Sequence, residues 1–117
     1  MSLLKEIYRV DIKDIGGAVV KKDERYIVKD NKTLTDLTLS STVLNANSST
    51  TGHTHAGQEE IYFFINGRGS MQVGKRAFAV KGGQIVLIKE GEFHRVKNLD
   101  DFIPLTFICV FNGGREE

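Results

Sequence analysis

Three histidines and one glutamate are the residues of this chain best suited to chemistry. His53 and His55 are separated by one residue, Glu60 follows five positions later, and His94 lies in a second segment. Because successive side chains of an extended strand point to opposite faces, His53 and His55 are expected to point the same way. Three imidazoles and one carboxylate form a good ligand set for a divalent metal ion. The sequence therefore predicts one metal site with the ligands His53, His55, Glu60 and His94.

The residues near Glu60 include a second candidate metal ligand and a candidate catalytic residue. Glu59 is the rival carboxylate, but by strand alternation it points away from Glu60 and is predicted to lie on a solvated outer face. Tyr62 and Phe64 share the inward face of Glu60 and predict an aromatic pocket. Tyr62 is the candidate catalytic proton donor, although a packed aromatic ring is the more ordinary interpretation of it.

Two further polar residues, Gln72 and Asn45, are candidates for the pocket wall. The single cysteine, Cys109, lies inside an apolar run without a basic neighbour. We interpret it as a small buried hydrophobe rather than as a nucleophile.

The elements that must position these residues are short strands separated by turn residues. Apolar residues do not recur with a helical period, and the twelve glycines favour an all-β sandwich or barrel. Asn66-Gly67 is a strong hairpin signal, and Gly74-Lys75 marks a second turn. The predicted strands are 33–44, 60–65, 71–73, 78–80, 85–88, 93–97 and 105–111.

The length of 117 residues suits one domain, spanning residues 1–117. The first thirty residues are less regular, and 7–10 and 26–28 are interpreted as edge strands, one of them pairing with a second subunit. Several strands are apolar on both faces, as in Ile61, Phe63 and Ile65 beside Tyr62. We therefore expect a homodimer.

The amino-acid composition argues against nucleic acid and membranes as partners. Lys and Arg number 16 and Asp and Glu number 15, without a basic cluster, so nucleic acid is not expected as a partner. The sequence contains no apolar stretch of about 20 residues, the length needed to span a bilayer. With a single cysteine and no recognisable signal peptide, the sequence predicts a cytoplasmic protein.

The first of the two histidine segments resembles the first motif of the cupin superfamily. That motif is His-x-His, three or four residues, Glu, six residues, Gly, and here it is His53-x-His55, four residues, Glu60, six residues, Gly67. The family glycine that precedes the first histidine by six positions is replaced by Asn47.

The second segment resembles the second motif, Gly, five residues, Pro-x-Gly, two residues, His, three residues, Asn. It begins at Gly83 and matches at Gly91, His94 and Asn98, whereas Lys89 replaces the proline. Lys89 removes a preset φ from the turn but no ligand. Gly91 is expected to adopt a positive φ, and Asn98 to make a structural hydrogen bond.

The resemblance implies a single double-stranded β-helix, the jelly-roll barrel of cupins. Some cupins are dioxygenases, some are sugar isomerases or epimerases, some are decarboxylases, and some only bind ligands. We expect a metal-dependent enzyme with a dioxygenase-type reaction on a small organic acid or phenolic compound. The alternatives are a sugar isomerase or epimerase, and a non-catalytic small-ligand binding module. The divalent ion is Mn, Fe, Ni, Co or Zn, and with Glu60 it leaves a charge of about +1, which favours an anionic substrate.

Overall fold

Nine β-strands account for the regular structure of residues 9–115, the part of the chain that this computed structural model describes. All strand pairs are antiparallel, and none of the described residues forms a helix long and apolar enough to span a membrane. The strands are β1 (Ala18–Lys22), β2 (Tyr26–Asn31), β3 (Leu37–Leu44), β4 (Glu60–Asn66), β5 (Arg68–Val73), β6 (Arg76–Lys81), β7 (Ile85–Ile88), β8 (His94–Asn98) and β9 (Leu105–Asn112).

The strands form two sheets that enclose one core. The larger sheet has the order β1-β2-β3-β9-β4-β7, and the smaller one the order β6-β5-β8. Strands distant in sequence are neighbours in space, as β3 and β9 are, which is typical of a jelly roll. The predicted all-β barrel is confirmed.

The N-terminal region differs from the prediction. Ile7 and Tyr8 lie outside the described residues, and Arg9 and Val10 belong to no strand. The residues from Tyr26 onward form β2, but β2 lies between β1 and β3 and is therefore not an edge strand. The edge strands of this sheet are β7 and β1, and the sequence analysis did not predict β1.

The hairpin predicted at Asn66-Gly67 is also wrong. β4 pairs with β7 and β9, whereas β5 pairs with β6 and β8, so the chain passes from one sheet to the other at this point. Gly67 has φ of +96°, and a Cβ there would lie 2.6 Å from the carbonyl oxygen of Pro104. The glycine thus permits a close crossing of two chain segments rather than a tight hairpin. The Gly74-Lys75 turn does join two paired strands, β5 and β6.

The inner face of the large sheet changes from apolar to polar along its strands. On β4 the inward residues are Phe64, Tyr62 and then Glu60, and all three are buried. On β3 the buried inward positions begin with Leu44 and continue with hydroxyl side chains, at Thr42, Ser40 and Thr38. One end of the barrel is therefore a hydrophobic core, and the other is lined by groups that can bind a polar ligand.

Candidate functional site

The segment before β4 is attached to the start of β8 by a short backbone ladder. His53 and His94 form an isolated antiparallel bridge, with reciprocal N–H to carbonyl distances of 3.1 and 2.9 Å. Residue 52 is glycine, and the ring of Phe93 occupies the space that a Cβ there would need. This contact lets the first histidine segment lie against β8. The two motifs, about forty positions apart in sequence, thus meet through backbone pairing.

Three of the four predicted ligands converge. The ligand atoms of His55, Glu60 and His94 all lie within 4.8 Å of one another, the spacing that a shared metal ion requires. The Nε2 atom of His94 lies 2.9 Å from Oε1 of Glu60. Both of these side chains are buried, whereas the neighbouring Glu59 is exposed, as predicted.

Two hydrogen bonds orient the His94 ring. Its Nδ1 lies 3.0 Å from the backbone carbonyl of Glu92, so Nδ1 is the donor and Nε2 is directed at Glu60. Burial disfavours the charged ring, but the hydrogen bonds to Glu60 and to the Glu92 carbonyl outweigh it and raise the pKa of His94. A histidine held through Nδ1 by a carbonyl is a common arrangement of metal-ligating histidines.

His53 lies beside the cluster. Its ring is stacked on that of His55, with centroids 5.4 Å apart and an interplanar angle of 17°, but its ligand atoms are not among the three that converge. Burial, followed by the charges of Lys21 and of the other histidines, lowers the pKa of His53 to about 4. His53 is therefore neutral at physiological pH and keeps a lone pair available for a metal ion.

Tyr62 lies on β4, two residues after Glu60 on the same inward face, and is paired with Cys109 on β9. The ring of Tyr62 contacts His94 edge-on at 5.7 Å and stacks on Phe107 at 5.3 Å. Burial raises the pKa of Tyr62 well above its usual range, so the phenol stays protonated. Burial likewise raises the pKa of Cys109 well above its usual range, which leaves an unreactive thiol in agreement with its interpretation as a small hydrophobe.

The sequence analysis missed a cationic side of the cavity. Arg115 follows β9 and reaches back to Asp30 on β2, with Nε–Oδ2 and Nη2–Oδ1 distances of 2.9 Å. Its Nη2 also donates to Oγ of Ser40 at 3.2 Å, and its guanidinium lies over the ring of Phe111. Arg115 lies beside the cavity near Glu60, as does Lys21 from β1. Neither residue belongs to a recognisable local pattern, since the fold alone brings them to the site.

Two polar residues proposed for the pocket wall lie elsewhere. Met71 faces the core, so its neighbour Gln72 faces outward, where its amide bonds Arg95 and the carbonyl of Gly74. Asn45 is exposed beyond the end of β3, and its side chain donates to the carbonyl of Glu24. Both predictions are wrong.

The cavity over the cluster is small. Its volume is about 50 Å³, which is room for a few water molecules at roughly 10–15 Å³ each. The residues that line it include Lys21, His53, Thr50 and Arg115. A buried carboxylate beside neutral and hydrogen-bonded imidazoles is a donor set that fits a divalent metal ion. His55, Glu60 and His94 are thus a possible metal site that opens to a cationic cavity.

An antiparallel β-barrel with a His/Glu cluster at its polar end defines the class of this protein, a small barrel with a candidate metal centre. Residues 41–111 match the family described as Cupin domain. Because this match spans more than half of the chain, the chain belongs to the cupin family.

Relatives and solved structures agree with that assignment. The uncharacterized protein MJ1618 of Methanocaldococcus jannaschii is 29% identical over 99 residues, which cover 75% of this chain and 78% of that protein. KdgF from Halomonas sp. is similar in structure, with a TM-score of 0.72 and 14% identity over 86% of this chain and 96% of KdgF. Oxalate decarboxylase of Bacillus subtilis, studied for its Mn(II) centres, has a TM-score of 0.75 and 18% identity over 86% of this chain and 29% of that chain. At these identities the structural matches show a shared fold.

Proposed function

We propose that this cupin is a metal-dependent enzyme that acts on a small anionic organic acid. The observation that carries the proposal is the convergence of His55, Glu60 and His94 within 4.8 Å at the polar end of the barrel. A cluster of this composition beside two cationic side chains, Lys21 and Arg115, suits a substrate that offers oxygen atoms and negative charge.

The proposed ligands are the three converging residues and His53 as the fourth. His53 is stacked on His55 and is neutral, so it has a free lone pair beside the three converging ligands. A bound divalent ion would supply Lewis acidity toward substrate oxygens and, if it is redox-active, a route for oxidation by dioxygen. Mn, Fe, Ni, Co and Zn all suit imidazole and carboxylate ligands.

The protein's own groups offer little acid–base chemistry beyond the cluster. Glu60, the described carboxylate that lines the cavity, is paired with His94, and Asp30, outside the lining, is held by Arg115. Tyr62 is the remaining protonated group, buried against Phe107, and we propose it as a hydrogen-bond donor to the substrate. This scarcity of free bases favours a dioxygenase-type reaction over the isomerase or epimerase alternative.

The metal proposal is tested by elemental analysis of untagged protein purified without chelator. We expect near-stoichiometric metal in the wild-type protein and its loss in His94→Ala and Glu60→Ala. Glu59→Ala is the matched control, because it removes the adjacent carboxylate from the outer face and should retain the metal. Equal metal in all four proteins, or none after reconstitution, would contradict the proposal.

The reaction type is tested by oxygen consumption. The metal-loaded protein is screened against small organic acids and catechols in an oxygen electrode, with Glu60→Ala as the inactive control. Substrate-dependent oxygen uptake supports the dioxygenase. Turnover that persists without oxygen supports the isomerase alternative, and tight ligand binding without any turnover supports a non-catalytic binding module.

We also propose that the protein is a homodimer. The outer face of the large sheet exposes several aliphatic side chains, among them Leu87 at 72% and Ile85 at 57% on β7. Exposed aliphatic side chains of this kind support a surface that pairs with a second copy. A molar mass by light scattering equal to that of one chain at micromolar concentration would contradict the dimer, and Leu87→Lys should shift a dimer toward monomer.

A further inference from the structure

Strand β1 carries one irregularity, and it decides which face of the sheet Lys21 occupies. Val19 is paired with Lys29 on the outer side of the sheet. The next pair joins Lys21 to the buried, inward-facing Val28, so Val20 has no partner in the ladder. In a regular strand Lys21 would share the outward face of Val19, because residues two apart point the same way. The β-bulge therefore turns Lys21 into the barrel, which is how bulges re-aim side chains next to functional sites.

The position that Lys21 reaches is the wall of the cavity. It lies among the residues that line the site, with His53 and Arg115, and its side chain is half-buried. Among the ion pairs of residues 9–115, none includes Lys21. Glu60, the carboxylate that lines the cavity, is engaged with His94, and Asp30, which is held by Arg115, does not line it. The positive charge of Lys21 is thus free to meet a ligand.

We infer that Lys21 binds a carboxylate of a small dicarboxylate whose other end meets the metal site. The inference rests on the proposed function, which supplies the metal end. Asp30 and Arg115 balance each other, so a divalent ion, Glu60 and Lys21 leave a formal charge of about +2. A dianion neutralises that charge, whereas a monocarboxylate that occupies the metal alone leaves Lys21 without a partner. Lys21 is therefore assigned as a residue that selects the second charge of the ligand.

The test is calorimetric titration of Mn²⁺-reconstituted protein with malonate, succinate and acetate. In Lys21→Met we expect at least one dicarboxylate to lose about tenfold in affinity, the effect of one charge-assisted hydrogen bond, while acetate changes by less than about twofold. Lys21→Arg should recover most of the loss. Lys22→Met is the matched control. It removes the same charge from the outward face of β1, where Lys22 is paired with Ile27, and it should bind the ligands as the wild type does.

Three results would overturn the inference: dicarboxylate affinity unchanged in Lys21→Met, an equal loss in Lys22→Met, or no wild-type preference for a dicarboxylate over acetate. Metal content is measured in every variant, so that failure of the metal site is recognised separately. If the wild-type protein takes up no metal, the proposed function fails, but Lys21-dependent binding of malonate to the metal-free protein still supports the anion site. If metal binds and Lys21 has no effect, the proposed function stands and this inference falls.

Discussion

The pairing of Arg115 with Asp30 is the contact whose removal has the most predictable consequence. The Asp30 side chain is 1% exposed and the Arg115 side chain 19%, and the two groups meet through parallel N–H to oxygen contacts of 2.9 Å. Asp30 accepts no other charged donor among the described residues. Replacing Arg115 by Met would therefore leave a buried carboxylate without its counterion.

The stability lost in Arg115→Met can be estimated from the burial of Asp30. Removing one partner of a buried ion pair costs about 3–5 kcal/mol, because the remaining charge is left desolvated. Arg115 is partly exposed, so water can replace some of the lost contact, and Ser40 can still donate its hydroxyl to Asp30. We expect Arg115→Met to lower the free energy of unfolding by about 3 kcal/mol, or the midpoint temperature by roughly 10 °C for a domain of this size.

The assay is urea unfolding at neutral pH with Arg115→Met, Asp30→Asn and the double variant. The double variant should recover most of the loss, because it leaves no unpaired charge. Arg68→Met is the control, since the Arg68 side chain is 65% exposed and its pair with Asp100 is expected to contribute less than about 1 kcal/mol. The reasoning is refuted if Arg115→Met costs no more than Arg68→Met, or if the double variant is as unstable as Arg115→Met.

The same pair has a defined pH dependence. Burial opposes the charge on Asp30, but the hydrogen bonds from Arg115 and Ser40 outweigh it and lower the pKa of the carboxyl group below its ordinary value. A lowered pKa in the folded state gives stability that is present above the unfolded pKa and is lost as the pH falls through the folded one. The wild type should therefore lose stability relative to the double variant as the pH falls below about 4, the unfolded carboxyl pKa.

Three further predictions concern single side chains. Asn98→Ala should cost about 2–4 kcal/mol in urea unfolding, because its fully buried amide donates to three backbone carbonyls; a loss below about 1 kcal/mol would contradict that role. Asn47 has φ of +60°, so Asn47→Gly should be neutral while Asn47→Ala costs about 1 kcal/mol, and equal stability of the two would count against backbone strain. Cys109 should resist iodoacetamide in the folded protein and react in urea, since burial raises its pKa; rapid labelling of the native protein would show that the thiol is accessible.

The part of the site that could be predicted from sequence is the part encoded by local spacing. Glu60 starts β4 and faces inward while Glu59 is exposed, because alternation along a strand is a local property. The structural role of Asn98 and the positive φ of Gly91 are confirmed for the same reason. Even the missing motif glycine has a local explanation. Asn47 adopts the left-handed conformation that asparagine tolerates better than other side chains.

The errors arose where a conclusion required knowledge of strand partners. Asn66-Gly67 has hairpin chemistry, yet β4 and β5 belong to different sheets, and only the crossing near Pro104 explains the glycine. Strand alternation predicts that the side chains of His53 and His55 point the same way. In the structure His53 forms a single bridge to His94 and is not part of a strand. Their rings nevertheless lie side by side.

The groups proposed to select the ligand are the ones that local sequence patterns could not locate. Lys21 and Lys22 are adjacent and chemically identical, and a regular β1 would have turned Lys22 rather than Lys21 toward the barrel. The bulge at Val20 reverses that choice, and it is defined only by the pairing with β2. Arg115 reaches the site only because Asp30 and Ser40, on β2 and β3, hold it there. The possible metal site is therefore encoded in two contiguous motifs, whereas the proposed selection among anions depends on strand register and on one ion pair.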